Sequence, residues 1–237
     1  MLYMIIITVA LVVPIFESAM LYAETAAQNS NGTLYLSFIG PKGDHVLVHA
    51  NVGYERQPQL AEPVIDWSAT QVSILKPAAG GAFVKSGGAP LRPDGESGQM
   101  VLRAFEHAKR LRSRDLPNGR AEAVFEVVGA FAVRDAKDLE AALAVAFLAV
   151  HNARAVEPVT ILGGLDSQAR LTAVADLNTH LANMIHLGHR KVIIPSGQHN
   201  EISGLLQQQI ESDHVAVVEA ANLEALYKLV TTNPSQH

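Results

Sequence analysis

The chain has 237 residues, 49% hydrophobic and 17% charged, enough for one globular domain with a substantial core and at most a small appendage. A formal net charge of −5 argues against a nucleic-acid surface, which needs clustered Lys and Arg. With no cysteine, the chain is without disulfides, thiolate metal sites and cysteine nucleophiles.

Residues 4–16 (MIIITVALVVPIF) form an apolar run shorter than the ~20 residues a membrane-spanning helix needs. Small residues follow at Ser18, Ala19, Ala23 and Ala26, as expected near a signal-peptidase site. Residues 1–26 are therefore expected to be a signal peptide or an uncleaved membrane anchor, which makes the remainder extracytoplasmic. The competing assignment is a buried first element of the domain.

Residues 27–94 form a β-rich segment. Strands are expected at 33–39 and 45–52, with the turn Pro41-Lys42-Gly43-Asp44 between them, and at 70–75. The Gly- and Pro-rich stretch 77–98 carries no clear period and reads as a loop, the best candidate for a mobile segment.

From residue 95 the pattern sharpens. Val101, Ala104, Phe105, Ala108 and Leu111 fall on one helical face, and the basic residues Lys109, Arg110, Arg112 and Arg114 complement the end of that helix. A strand at 123–128 precedes residues 139–150 (LEAALAVAFLAV), which are apolar all round and so belong in a helix buried on most sides. Strands follow at 158–162, 191–194 and 215–218. Helices are expected at 177–185, ended by Gly188, at 201–209, and at 222–230 with Asn222 as N-cap. Residues 232–237 are a tail. The alternation of helix and strand implies a layered α/β (α+β) domain with helices packed on a sheet.

The order and spacing over residues 95–231 resemble the proteolytic domain of Lon-type serine peptidases. Arg134-Asp135-Ala136-Lys137-Asp138 stands where that family has Lys-Asp-Gly-Pro-Ser, and Ile161-Leu162-Gly163-Gly164-Leu165 stands for its Met-Thr-Gly-Glu-Ile. Ala175-Asp176-Leu177-Asn178 stands for its Gly-Gly-Leu-Lys, and residues 188–195 for its strand ending in Leu-Pro. The resemblance implies a Lon-like fold and a cleft lined by Asp135, Asp138, Gly163, Gly164 and Asn178. It also places Asp138 at the serine and Asn178 at the lysine of the Ser-Lys dyad, so that neither nucleophile nor base is present. The implied protein is an inactive homologue that binds a peptide or protein partner or assembles, without cofactor or metal. A homo-oligomer is left open, and membrane contact is confined to the N-terminal segment.

Asp138 also has a structural explanation as the cap of the apolar helix, and Asn178 as a local hydrogen-bonding residue. The enzymatic rival is an active serine endopeptidase with a displaced nucleophile, Ser167 being the first suspect, with Asp166 beside it and His180 or His186 on the following helix. A third reading is an unrelated α/β binding module. His186 and His189 are close enough in sequence to share a metal, but Gly188 is expected to end the helix between them. Amino-terminal sequencing and fractionation of native protein test the first segment. The expected result is a mature start near residues 24–27 or a membrane-bound full chain, and an intact soluble form beginning at Met1 would contradict it.

Overall fold

The computed structural model describes residues 32–39, 45–111, 118–128, 136–152, 154–157 and 159–231. The expected export segment and Asp135 lie outside these residues. In chain order the elements are β1 (Gly32–Ile39), β2 (His45–Arg56), β3 (Val64–Ile65), β4 (Gln71–Pro77), β5 (Phe83–Pro90), α1 (Glu96–Leu111) and β6 (Gly119–Val128). There follow α2 (Glu140–His151), β7 (Thr160–Ile161), β8 (Gly164–Leu165), β9 (Leu171–Thr172), α3 (Leu177–His186), β10 (Lys191–Pro195), α4 (Gly204–Ser212), β11 (Ala216–Ala220) and α5 (Leu223–Val230). The architecture is a mixed α/β one. A single mixed sheet runs in the order β11, β10, β7, β1, β2, β6, β4, β5, with β3 also on β6, and β8 and β9 form a separate hairpin. The strands expected at 123–128 and 158–162 both belong to the large sheet.

The sheet has two halves of different character. Strands β7, β10 and β11 run parallel to one another and β1 runs parallel to β7, whereas β1, β2 and β6 are antiparallel neighbours. In β6 the residues alternate: Ala121, Ala123, Phe125 and Val127 are buried, while Glu122, Val124 and Glu126 on the opposite face are partly exposed. One face of this half meets the core. In the parallel half both faces are covered, so Val192, Ile193 and Ile194 of β10 are all buried. Val192 and Ile194 pack with α3 and α4, and Ile193 turns to the other cluster, which holds α1, α2 and α5.

Helix α2 is the centre of the larger cluster. Residues 140–150 are all buried, and the helix packs against α1, α5, β1 and β2. Its alanines at 141, 142, 144, 146 and 149 leave room for close neighbours, and Phe147 meets Phe105 of α1 edge-on with ring centroids 5.2 Å apart. Both α3 and α5 end and begin as their sequences suggest. Gly188, at φ 82°, lies just past α3, with N–H bonds from Gly188 to the Ile185 carbonyl and from His189 to the Met184 carbonyl. Asn222 caps α5 by accepting from the Ala225 N–H at 2.9 Å.

Three expectations are corrected. The stretch 77–98 is not one loop: it holds β5, paired antiparallel with β4 at the sheet edge. Strand β5 is exposed along nearly all its length, so no apolar alternation marks it in the sequence. The strand expected at 158–162 is only Thr160–Ile161, because Gly163 and Gly164 lead the chain away into the hairpin. The helix expected at 201–209 begins at Gly204, residues 198–201 forming a separate 3-10 turn.

Truncating Leu148, which is fully buried in α2, is expected to cost ~2–5 kcal/mol as Leu148→Ala, through lost transfer energy and the cavity left behind. Leu205→Ala, at a side chain 83% exposed, should change stability by less than ~0.5 kcal/mol. Urea unfolding midpoints of the two variants check the contrast.

Candidate functional site

The entry to α2 is a 3-10 turn, Ala136–Leu139, and it carries Asp138. Leu139, not Asp138, occupies the N-cap position of α2 and makes no side-chain cap. The expected capping role of Asp138 is corrected accordingly: the 3-10 turn moves the helix start past it. Asp138 is buried. Its carbonyl accepts the Gly163 N–H at 3.1 Å, and the Gly163 carbonyl accepts the Ala141 N–H at 3.3 Å. These two bonds stitch the beginning of α2 to the turn after β7, so Asp138, Gly163 and Gly164 come together. Gly163 has φ 123°, and a Cβ there would lie 3.0 Å from Pro195 Cγ and 3.3 Å from the Thr172 carbonyl oxygen. Only glycine meets both conditions.

Asn178, the second residue of α3, is bound elsewhere. Its Nδ2 donates to the Glu201 carbonyl at 2.9 Å, and its Oδ1 accepts the Ser203 N–H at 2.8 Å. The amide braces the start of α3 against the segment entering α4, and neither bond runs to Asp138. The sequence reading of Asn178 as a local hydrogen-bonding residue is corrected: its side chain bonds, but to partners 23 and 25 positions away in the chain. Nearby, the buried Gln198 makes a comparable brace, accepting from the Val174 N–H and donating to the Val174 carbonyl and to Glu201 Oε2.

The pieces of the rival constellation are differently disposed. Ser167 is exposed in the turn between β8 and β9. Asp166 uses Oδ1 to accept from the backbone N–H groups of Gln168 and Arg170, both at 2.9 Å, and Oδ2 to accept from Arg170 Nε at 2.7 Å. Hydrogen bonds from the Arg170 backbone and side chain hold its carboxyl below the usual range. Asp166 thus shapes the hairpin turn, and its carboxylate is engaged there and not in orienting a histidine. His186 is exposed, whereas His189, beyond the helix end, directs Nδ1 at Thr160 Oγ1 2.8 Å away. Burial lowers the His189 pKa from its ordinary value. Among the described residues no group of three His, Asp or Glu side chains is arranged to hold a metal.

Sequence reasoning missed one cluster. Glu140, at the start of the apolar helix, is 1% exposed. Its Oε2 accepts from Arg103 Nε at 3.1 Å, and its Oε1 lies 3.5 Å from His107 Nε2. Burial raises the Glu140 pKa, opposed by Arg103. Burial also lowers that of His107. The available signal was a lone carboxylate in an eleven-residue apolar stretch, with Arg103 and His107 one turn apart on the preceding helix.

No protein-family model matches this sequence, and no curated protein matches it significantly. Among the described residues, no helix is long and apolar enough to cross a membrane.

Replacing Asn178 by Ala removes two exposed hydrogen bonds, those to the Ser203 N–H and the Glu201 carbonyl. The expected loss is ~1–2 kcal/mol, read as a lower urea midpoint with an unchanged m-value. A variant as stable as wild type would show that the brace contributes nothing.

Proposed function

We propose that this chain is a secreted or membrane-anchored Lon protease-like domain that has lost peptidase chemistry and acts by binding a peptide or protein partner or by assembly. The observation that carries the reading is the state of the two positions that resemble the family's dyad. Asp138 is a buried carboxylate on a turn stitched to Gly163, and Asn178 is an amide with both ends engaged in a structural brace. Acyl transfer requires a nucleophile that can be deprotonated and a base of suitable pKa beside it. A carboxylate does not form a stable acyl-enzyme with a peptide, and an amide takes no proton near neutral pH.

The layout around these positions supports the same reading. A buried Ala-rich helix begins at a turn held by a glycine after the central parallel strand, and a short hairpin separates that glycine from the next helix. This is the order of elements that the resemblance implies for residues 95–231. The extracytoplasmic assignment rests on the apolar run at 4–16 and the small residues after it.

Turnover of casein and of fluorogenic peptides by the purified protein tests the proposal. Wild type and Ser167→Ala are expected to be equally inactive. Robust wild-type cleavage lost in Ser167→Ala would replace this reading with the active-peptidase one. Converting the pair to Asp138→Ser with Asn178→Lys is expected to lower stability, because a lysine ammonium cannot accept the Ser203 N–H.

A further inference from the structure

Glu140 is the sole carboxylate of α2, and its two oxygens meet different surroundings on α1. Oε2 is paired with Arg103, whose side chain is nearly half exposed. Oε1 accepts no hydrogen bond from any described residue, although it is buried and faces His107 Nε2 across 3.5 Å. That separation is too long for a well-formed hydrogen bond, and both flanking side chains are shielded from water, His107 being 7% exposed. The two atoms are arranged as an acceptor pair with no hydrogen between them, or as a poorly aligned donor and acceptor.

We propose that Arg103, Glu140 and His107 form a proton-operated clasp, in which Glu140 Oε1 takes one proton from solvent, keeps it and donates it in a hydrogen bond to His107 Nε2, while loss of the carboxylate charge weakens the Arg103 contact at Oε2. In the neutral-pH state Glu140 is ionised and held by Arg103. In the protonated state His107 stays neutral, carrying its hydrogen on Nδ1, and Arg103 faces an uncharged carboxyl.

Charged groups reach the pair from three elements, and the one that acts on Glu140, Arg103, opposes its protonation, which burial favours. From α1 come Arg103, Glu106 and Arg110, from the turn before α2 comes Asp138, and from the β8–β9 hairpin comes Asp166. Burial lowers the His107 pKa, Arg110 and Arg103 lower it further, and Asp166 and Glu106 oppose them. Burial raises the Glu140 pKa while Arg103 pulls it down. Both directions disfavour the charged form of each partner, so the carboxyl takes its proton above the ordinary glutamate range. Glu140 stands two residues after Asp138, and the adjacent Ala141 N–H is bonded to Gly163. The clasp therefore controls how firmly α1 holds the stitched turn that carries Asp138.

An NMR titration of the intact wild-type protein from about pH 7 to about pH 4 tests the proposal. The Glu140 carboxyl carbon is expected to titrate above the ordinary glutamate range, and the Arg103 Nε–H signal to move at the same midpoint. Over that step His107 should stay neutral, ending with its hydrogen on Nδ1. Protection factors of the Leu139, Glu140, Ala141 and Gly163 amides should fall roughly threefold or more across it. Glu140→Gln, which fixes an uncharged side chain, should abolish the Arg103 shift and the change in protection. Titration of Glu140 within or below the ordinary range would overturn the clasp. So would imidazolium formation at His107 with Arg103 unmoved. The wild-type titration decides these points even if the variant does not fold.

Discussion

A helix with no polar face cannot rest at a surface, and α2 imposes that condition on everything around it. Its residues 140–150 are buried without exception, so it must be enclosed by the sheet below, by α1 beside it and by α5. The enclosure explains why β1 and β2, early in the sequence, sit at the middle of the sheet between β6 and β7. It also explains the alanine content: five alanines let neighbouring backbones approach where larger side chains would hold them apart. The parallel strands β7, β10 and β11 form the other side of this arrangement, and their second face is closed by α3 and α4.

The same enclosure sets the geometry at the entry to α2. A helix start buried in the core has unpaired backbone groups that need partners. Part of that need is met by the turn after β7, through Gly163, whose positive φ and lack of a side chain allow it to fit against Pro195. Because the helix begins beside α1, the one carboxylate it carries is forced into the interior, where Arg103 pairs with one oxygen and His107 faces the other. The two positions that resemble a catalytic dyad thus sit in a framework where each has a structural employment: Asp138 through its backbone in the stitch, Asn178 through its amide in the brace between α3 and α4.

Much of this fold was legible in the sequence wherever burial leaves a periodic mark. The run at 139–150, the helical face of Val101, Ala104, Phe105 and Ala108, and the apolar strand at 191–194 each follow from covering one or all faces of an element. Gly188 and Asn222 were readable because local backbone geometry, not tertiary context, selects those residues at helix ends. Strand β5 was not readable. An edge strand with solvent on both faces is held by backbone bonds to β4, and backbone bonds leave no pattern in side-chain identity.

For the candidate site, the sequence supplied a resemblance, and with it the implication that positions 138 and 178 carry residue types that are neither a serine nucleophile nor a lysine base. It also marked Gly163 and Gly164 as the turn that ends the strand before them. Only the tertiary structure decided what the substituted residues do instead. Asn178 meets Glu201 and Ser203, and Glu140 meets Arg103, 37 positions earlier, and His107 on the same helix, through contacts between elements distant in the chain. Spacing along a helix or strand fixes which residues share a face, but which faces meet is set by how the whole core closes around α2.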